Sequence, residues 1–325
     1  MSEVCSLTSK DKEAAEDFMT LPAVLVTIDF SRGSQMEPIP RDFVFPGLPA
    51  GKVAILSAPG GTGKSYFLLE LGMAVAAGEP LIHGLTPSSS GPVRYISFEE
   101  DGIDLHNRLA SLFQTFGGLK PPVDRFFPSA LEGESLPLLV GRDVGRGVAV
   151  NKGAVAWLER QCTGMRMVIL DPLSRLHEAD ENSNSEMKAL IKVLIAVAKK
   201  TQCAIVVAHH TSKSAVLNGQ SDTQGSHRGA SCIVDDPRLA MTLSKKPLSP
   251  ERLKERKRKD KQGRYMDWNQ MKAEEIEDST LVLTWVKMNG CRPIPPMELV
   301  RTDNGILVAA NGVQDRDREG MRYEG

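Results

Sequence analysis

Short apolar runs alternate with longer amphipathic segments between residues 50 and 245. Four of these runs are rich in β-branched residues and predict strands over Lys52–Ser57, Val93–Phe98, Met167–Asp171 and Ala204–Ala208. Strands that alternate with helical patterns are typical of βαβ units and a parallel sheet. The pattern therefore predicts an α/β fold with a mostly parallel twisted sheet flanked by helices.

One helical pattern lies between the last two of these strands. In SNSEMKALIKVLIAVAKKT, apolar residues recur at i, i+3, i+4 and i+7, and Ser183 or Ser185 is the candidate N-cap. This spacing gives the helix a single apolar face. We expect the helix to cover the sheet and to carry no chemistry of its own.

The pattern changes in the last quarter of the chain. Residues 251–264 hold eight basic and three acidic side chains, a local charge of +5. Such a run is either a solvated face or a surface for a DNA backbone or a replication partner, and the sequence leaves both readings open. Two strand-like runs flank it on the C-terminal side, Thr280–Met288 and Met297–Ala310, and they predict antiparallel strands added to the sheet.

Composition narrows the class of protein. The 325 residues carry 40 basic and 41 acidic side chains, so no global charge attracts nucleic acid or a membrane surface. The five cysteines form no C-x-x-C pair, which argues against a zinc site or a disulfide scaffold. No apolar run reaches the roughly 18 residues of a membrane span. We expect a soluble cytoplasmic protein with no membrane partner.

A glycine-rich segment follows the first predicted strand. It reads APGGTGKS and precedes the helical run FLLELGMAVAAG, which is the sequence context of a P-loop. In such a loop the backbone N–H groups cradle phosphates, while the lysine reaches the β- and γ-phosphates and the serine ligates Mg²⁺. The strict pattern starts with glycine, but the alanine found there requires only an ordinary φ. The segment predicts binding of ATP and Mg²⁺ by Ala58, Pro59, Gly60, Gly61, Thr62, Gly63, Lys64, Ser65 and Tyr66.

Acidic residues end two of the other predicted strands. Asp171 closes MRMVILD, where a Walker-B carboxylate would hold Mg²⁺ at the carboxyl edge of the sheet. Glu99, in YISFEED, is the candidate that activates water, on a strand that we expect beside the P-loop strand. The adjacent Glu100 and Asp101 are alternatively caps of the following helix.

The fourth strand ends in two histidines, His209 and His210. Neighbouring strand residues point to opposite faces, so the pair does not suit a shared metal ion. One of them is a candidate sensor of the γ-phosphate, although a polar strand end of purely structural origin remains the alternative. Polar loops follow this strand and the Walker-B strand, and they carry Lys213 and Arg175 respectively at the same edge of the sheet.

Taken in order, the segments APGGTGKS, YISFEED, VILDPLSRLHEADEN, VVAHHTSK and SHRGASCIVDDPR resemble the RepA-type hexameric replicative helicases. These are RecA-like P-loop ATPases, of AAA type, from plasmids, phages and other mobile elements. The resemblance covers about residues 45–310. It implies a catalytic and metal-binding set that matches the motifs: Lys64, Ser65, Asp171, Glu99, and His210 or His209.

The same resemblance implies contacts between subunits. Arg238, in VDDPR, would be an arginine finger that enters the neighbouring subunit's site. Lys287 and Asn289, in VKMNG, would add a further contact across the interface. Arg228 belongs either to this interface or to a salt bridge in the core.

The implied function is an ATP-driven, ring-forming motor on single-stranded DNA, a replicative helicase that works as a homohexamer. Lys213 and Arg175 would contact the DNA backbone, and a replication initiator or primase is a further candidate partner. The alternative is a RecA-like oligomeric ATPase that regulates or scaffolds without unwinding. A small-molecule kinase is disfavoured, because the sequence shows neither an arginine-rich lid nor an acceptor-pocket signature.

Two parts of the chain depart from the family. The charged stretch is longer and more basic than the usual insertion, and the first forty residues match nothing specific, although such arms often dock on an adjacent subunit. The predicted organisation is an N-terminal arm or linker (1–40), a RecA-like ATPase core (41–244), a charged basic insertion (245–279), C-terminal strands that complete the core (280–310) and a flexible tail (311–325).

Overall fold

The structure is a computed structural model that describes residues 37, 39–80, 85–116, 122–141, 147–211, 231–246, 280–302 and 304–310. The chain divides into two compact units, residues 1–41 and residues 42–325, and the fold given below is that of the second unit. Most of the predicted N-terminal arm, the basic run 251–264 and the C-terminal tail lie outside the described residues. None of the helices within the described ranges is long and apolar enough to cross a membrane.

Strands and helices alternate along most of the second unit. The strands of the described ranges are β1 (Phe43–Phe45), β2 (Leu48–Pro49), β3 (Val53–Pro59), β4 (Val93–Ser97), β5 (Phe126–Ala130), β6 (Leu139–Gly141), β7 (Val148–Val150), β8 (Met167–Asp171), β9 (Ala204–Thr211), β10 (Leu239–Lys245), β11 (Leu281–Met288), β12 (Met297–Arg301) and β13 (Leu307–Ala309). The helices are α1 (Lys64–Ala77), α2 (Gly102–Thr115), α3 (Lys152–Cys162), α4 (Asn184–Thr201) and α5 (Cys232–Asp235), with a 3₁₀ turn at Leu173–Arg175.

Nine of these strands form one sheet in the order β13-β12-β11-β10-β3-β9-β8-β4-β5. The six strands from β10 to β5 in this order pair in parallel, whereas β11, β12 and β13 pair with their neighbours antiparallel. This confirms the predicted α/β class, with a mostly parallel sheet and antiparallel strands added near the C-terminus. Two short antiparallel pairs, β1-β2 and β6-β7, lie outside the main sheet.

Helices cover both faces of the sheet. On one face, α1 and α2 pack against strand residues that include Leu56 and Ile169. On the other face, α3 and α4 pack against the neighbouring residues Ile55 and Leu170. Both faces are buried because successive side chains of a strand point in opposite directions, and this explains why the strands read as continuous apolar runs.

The predicted crossover helix is confirmed as α4, and its start is set by a local hydrogen bond. Ser183, one of the two candidate caps, accepts a hydrogen bond from the backbone N–H of Glu186 at 3.4 Å. Met187, Leu190 and Leu194 on its apolar face are fully buried against the sheet. The helix therefore acts as a cover for the central strands.

Two predictions about strands are wrong. The strand that precedes Glu99 does not lie beside the P-loop strand, because β4 pairs with β8 and β5, and both β8 and β9 separate it from β3. The run Met297–Ala310 is not one strand but two, β12 and β13, which pair antiparallel across a turn that contains Thr302 and Gly305. In that turn the backbone N–H of Gly305 donates to the carbonyl of Thr302 at 2.8 Å.

A carboxyl group lies within the core beneath this turn. Glu70 of α1 is fully buried, and its Oε1 accepts a hydrogen bond from the backbone N–H of Leu307 at 2.8 Å. Its Oε2 is buried and has no hydrogen-bond partner among the described residues. Burial raises the pKa of Glu70 to about 8, and the bond from Leu307 opposes part of that rise.

The raised pKa of Glu70 predicts a stability that depends on pH. Between about pH 4.5 and about pH 8 the folded chain keeps the proton that the unfolded chain has lost, so the free energy of unfolding falls as pH rises. Replacing Glu70 by glutamine removes this dependence. At about 1.4 kcal/mol per pKa unit, the free energy of unfolding that Glu70 contributes changes by on the order of 4 kcal/mol over this pH range. Urea unfolding at pH 5 and pH 8 should show the variant gaining stability relative to the parent at the higher pH.

Glu79→Gln is the matched control, because Glu79 lies just beyond the end of the same helix and is exposed. Its stability relative to the parent should be the same at both pH values. An equal difference between Glu70→Gln and the parent at pH 5 and pH 8 would show that this carboxyl group does not hold a proton in the folded chain.

Candidate nucleotide-binding site

The predicted site residues converge at one edge of the sheet. The parallel strands β3, β9, β8 and β4 end there at Pro59, Thr211, Asp171 and Ser97. Ligands of open α/β sheets bind outside the carboxyl ends of the strands. This edge is therefore where the fold places a binding crevice.

The glycine-rich segment forms a tight turn between β3 and α1. Gly61 and Gly63 have φ of +74° and +99°, values that side-chain-bearing residues rarely adopt. The hydroxyl of Thr62 donates to the carbonyl of Pro59 at 2.7 Å and closes the turn. Among the described non-glycine residues only Gln202 has a positive φ, so Ala58 keeps an ordinary backbone, as predicted.

Helix α1 begins without a side-chain cap. Gly63 is its N-cap and offers no side-chain hydrogen bond, whereas the N-caps of α2, α3 and α4 each supply one. An open helix N-terminus that follows a glycine turn is a favourable site for phosphate, through both its N–H groups and the helix dipole.

The carboxylate of Asp171 joins the P-loop to the neighbouring strands. Its Oδ2 accepts hydrogen bonds from the hydroxyls of Ser65 at 2.7 Å and Tyr95 at 3.0 Å, and its Oδ1 lies 3.4 Å from Nζ of Lys64. The side chains of Lys64 and Asp171 are both almost entirely buried. Burial, and then the charge of Asp171, raise the pKa of Tyr95 well above its usual range, so the phenol remains a hydrogen-bond donor.

These residues fit a magnesium ion bound together with nucleotide. Oδ1 of Asp171 is buried and accepts no hydrogen bond within the described part of the chain, and the hydroxyl of Ser65 lies against the same carboxylate. Mg²⁺ is usually held by one or two protein oxygens with substrate phosphates and water, rather than by a cage of side chains. The described residues contain no group of three or more His, Cys, Asp and Glu side chains placed to bind a metal.

A histidine connects the P-loop lysine to the candidate that activates water. Nε2 of His210 lies 3.3 Å from Nζ of Lys64 and 3.7 Å from Oε2 of Glu99. The side chains of His210 and Glu99 are 38% and 46% exposed, so water reaches both. Although β4 is not adjacent to β3, Glu99 still comes near Lys64, because His210, next to the end of β9, contacts both side chains.

The other histidine faces away from this crevice, as predicted for neighbouring strand residues. His209 is buried, with Nδ1 3.4 Å from the hydroxyl of Ser57 and Nε2 4.0 Å from Glu181. Glu181 also lies 3.7 Å from Nε2 of His177. Contact with His177, and then the charge of His209, hold the pKa of Glu181 below its usual range. Of the two candidate sensors, His210 is the one in contact with Lys64.

The residues after Glu99 divide into a cap and an ion pair. Asp101 caps α2 by accepting a hydrogen bond from the N–H of Asp104 at 2.7 Å, as predicted. Glu100 does not cap this helix; it pairs with Arg108 at 2.6 Å, and burial raises the pKa of Glu100. The guanidinium of Arg108 also stacks 4.6 Å from the ring centre of Tyr66, so this pair lies beside the P-loop.

The predicted subunit contacts lie at the opposite edge of the sheet. Arg238 immediately precedes β10, and its N–H donates to the carbonyl of Val53, the first residue of β3. Six residues of strand separate this point from the P-loop, about 20 Å at roughly 3.3 Å per residue. Lys287 and Asn289 lie at the same end, because β11 runs antiparallel to β10, and Lys287 donates to the carbonyl of Asp235.

The two predicted DNA contacts have different outcomes. Arg175 lies in the 3₁₀ turn that follows Asp171, at the same edge as the P-loop. Lys213 lies outside the described residues, and so does Arg228 of the proposed interface.

The sequence did not predict three residues that lie in or near the site. Tyr95 donates a hydrogen bond to Asp171, Glu181 lies within 4.0 Å of His177 and His209, and Arg301 donates to the carbonyl of Gly61 at 3.0 Å. Only Tyr95 carried a signal, since it is the first residue of the motif YISFEED, on the strand that leads to Glu99. The other two come close only through the fold.

Comparison with known proteins agrees with this geometry. A family model described as an AAA domain matches residues 20–216, more than half of the chain. The chain belongs to this AAA domain family. The ATPase family accounts for the P-loop and for nucleotide binding, and its match ends before β10, so the C-terminal strands lie outside the matched residues.

One solved structure is also similar to this ATPase. The crystal structure of the RadB recombinase matches 80% of this chain and 90% of its own, at 14% sequence identity and a TM-score of 0.46. The family model shows membership of the AAA domain family, whereas the narrower resemblance to RepA-type helicases stays a prediction.

Proposed function

We propose that this ATPase is a ring-forming motor that hydrolyses ATP and moves along single-stranded DNA, as a replicative helicase of a mobile element. Within the site, Lys64 binds the phosphates and Glu99 accepts a proton from the attacking water. Ser65 and Asp171 would hold Mg²⁺, which would supply positive charge against the phosphates. His210, between Lys64 and Glu99, reports the state of the γ-phosphate to the segment that follows β9.

The distance between Arg238 and the P-loop of its own chain supports an oligomer. Arg238 lies about 20 Å from the P-loop of its own chain, measured along β3 at roughly 3.3 Å per residue. An arginine at that distance serves hydrolysis only in a neighbouring site. A contact between the P-loop edge of one subunit and the opposite edge of the next is head-to-tail, and repeated rotation of such a contact closes a ring.

The positions of the ends of β8 and β9 support a DNA motor. Both strands end at the same edge as the P-loop, β8 at Asp171 and β9 at Thr211, which follows His210. A change of nucleotide state at Asp171 and His210 therefore acts where the following segments begin. Arg175 and Lys213, in these two segments, would bind DNA phosphates, and such contacts need no base-specific readers.

The experiment that tests this function measures steady-state ATP hydrolysis with and without single-stranded DNA, together with strand displacement on a forked duplex. We expect DNA to stimulate hydrolysis at least fivefold, the lower end of the usual coupling between two linked sites. We also expect the forked duplex to be unwound. Arg175→Gln should lose most of the stimulation and keep the basal rate. Arg160→Gln, an exposed arginine near the end of α3, is the control that should keep both.

The second candidate is an oligomeric ATPase that regulates or scaffolds. It predicts hydrolysis that is independent of DNA and a forked duplex that stays intact. That outcome would overturn the motor and favour the regulator, whose ATP site would be the same.

A further inference from the structure

The C-terminal hairpin, formed by β12 and β13, reaches the edge of the sheet where the P-loop lies. Strand β11 runs antiparallel to β10, and β12 runs antiparallel to β11, so β12 points in the same direction as the P-loop strand β3. The carboxyl end of β12 therefore lies at the edge where the phosphates bind. Arg301 is the last residue of β12.

The guanidinium of Arg301 lies against the glycines of the P-loop. Its Nη2 donates a hydrogen bond to the carbonyl of Gly61 at 3.0 Å. A Cβ atom placed on Gly63 would lie 2.7 Å from the same nitrogen, closer than real side chains approach. The glycines thus permit both the left-handed turn and the close approach of this arginine.

The rest of the hairpin is fixed to α1 along one face of the helix. Gly305, with φ of +86°, lies so close to Tyr66 that a Cβ atom there would be 2.7 Å from the ring. One turn further along α1, Glu70 accepts the hydrogen bond from Leu307. Residues four apart share a helix face, so the hairpin follows the P-loop helix from its start to its second turn. The residues that follow Arg301 are therefore fixed to the start of α1.

The charge of Arg301 is free to act on a ligand. None of the ion pairs within the described part of the chain includes this residue. Arg301 lies on a phosphate-binding loop and has no carboxylate partner among the described residues. An anion that enters the loop would therefore balance its positive charge.

We propose that Arg301 is a positioning residue for phosphate binding, supplied by the C-terminal hairpin of the same chain. Its hydrogen bond holds the carbonyl of Gly61, which fixes the peptide planes of the loop whose N–H groups receive the phosphates. Its positive charge favours the triphosphate at that loop. The inference depends on nucleotide binding by the P-loop and is independent of DNA or ring formation.

The test measures equilibrium binding of a fluorescent, non-hydrolysable ATP analogue with Mg²⁺. Arg301→Gln should weaken binding at least tenfold, whereas Arg301→Lys, which keeps a charge but loses the planar fork, should weaken it about threefold. Arg292→Gln, an exposed arginine in the connection between β11 and β12, is the matched control and should bind as the parent does. Thermal unfolding without nucleotide serves as the readout of folding.

The outcomes separate positioning from general support of the fold. Binding within twofold of the parent by a folded Arg301→Gln protein would overturn the proposal. If Arg301→Gln fails to fold, Arg301→Lys decides, and parental affinity for that variant would overturn it equally. Because hydrolysis and DNA play no part in the measurement, its failure is distinct from a failure of the motor function.

Discussion

Replacing Glu99 by glutamine is expected to lower the rate constant of ATP hydrolysis by about 10³-fold, within the range usual for removing a general base. Glutamine keeps the size of the side chain but cannot accept a proton from water. Binding of ATP should remain within about twofold of the parent, because the phosphates are held by the P-loop and not by this side chain. Phosphate release under saturating ATP, with nucleotide affinity measured alongside, checks both expectations.

Glu132→Gln is the control for this substitution, because it makes the same chemical change at an exposed position after β5. It should hydrolyse ATP at the parental rate. A Glu99→Gln protein that keeps more than a tenth of the parental rate would mean that another group activates the water, and the 3.7 Å contact between Glu99 and His210 would then have no catalytic meaning.

Replacing Arg238 by alanine is expected to have the second large effect, a loss of about 10³-fold or more in hydrolysis with ATP binding spared. The reason is that Arg238 lies at the edge of the sheet opposite its own P-loop, so its removal leaves the phosphate contacts of its own chain intact. Titration with a non-hydrolysable ATP analogue and measurement of the hydrolysis rate on the same preparations separate the two effects.

Arg292→Ala is the matched control, because it removes an exposed arginine from the segment that follows β11. It should keep the parental rate, and the size of the assembly should be the same for both variants. A parental hydrolysis rate for Arg238→Ala would remove Arg238 from the mechanism, and a parallel loss of ATP binding would assign it to the fold of its own chain.

The nucleotide clamp could be predicted from the sequence because its chemistry is local. The turn geometry depends on Gly61 and Gly63, and the open start of α1 follows from a glycine N-cap, so a short segment contains the whole signal. Strand-end residues such as Asp171 were also predictable, because parallel strands present their carboxyl ends at one edge. The crossover helix α4 followed from its own periodicity.

The order of the strands was not predictable in the same way. Consecutive strands often pair, which placed β4 beside β3, but the sheet inserts β8 and β9 between them. Glu99 reaches Lys64 all the same, through His210 on β9. The strand order is decided by packing across the whole sheet, and no local pattern records it.

The contacts of the C-terminal hairpin could not be predicted from the sequence either. Arg301 and Gly61 are separated by 240 positions, and their contact depends on two reversals of strand direction. The turn between β12 and β13 interrupts the run Met297–Ala310, which the sequence predicts as one strand. Ile306 is buried, whereas the residues that precede it after β12 are polar. A long-range contact of this kind needs the fold before it becomes visible.

The central claim is that each ATP site is completed by the neighbouring subunit, and mixing two inactive variants tests it most directly. Lys64→Ala protein lacks the phosphate lysine but keeps Arg238, while Arg238→Ala protein has the reverse defect. In equimolar mixed assemblies about a quarter of the interfaces would combine an intact Lys64 with an intact Arg238 from the next chain, if the contact is head-to-tail. We predict that hydrolysis recovers to roughly that fraction of the parental rate, and mixed assemblies with no activity above that of the separate variants would contradict the shared site.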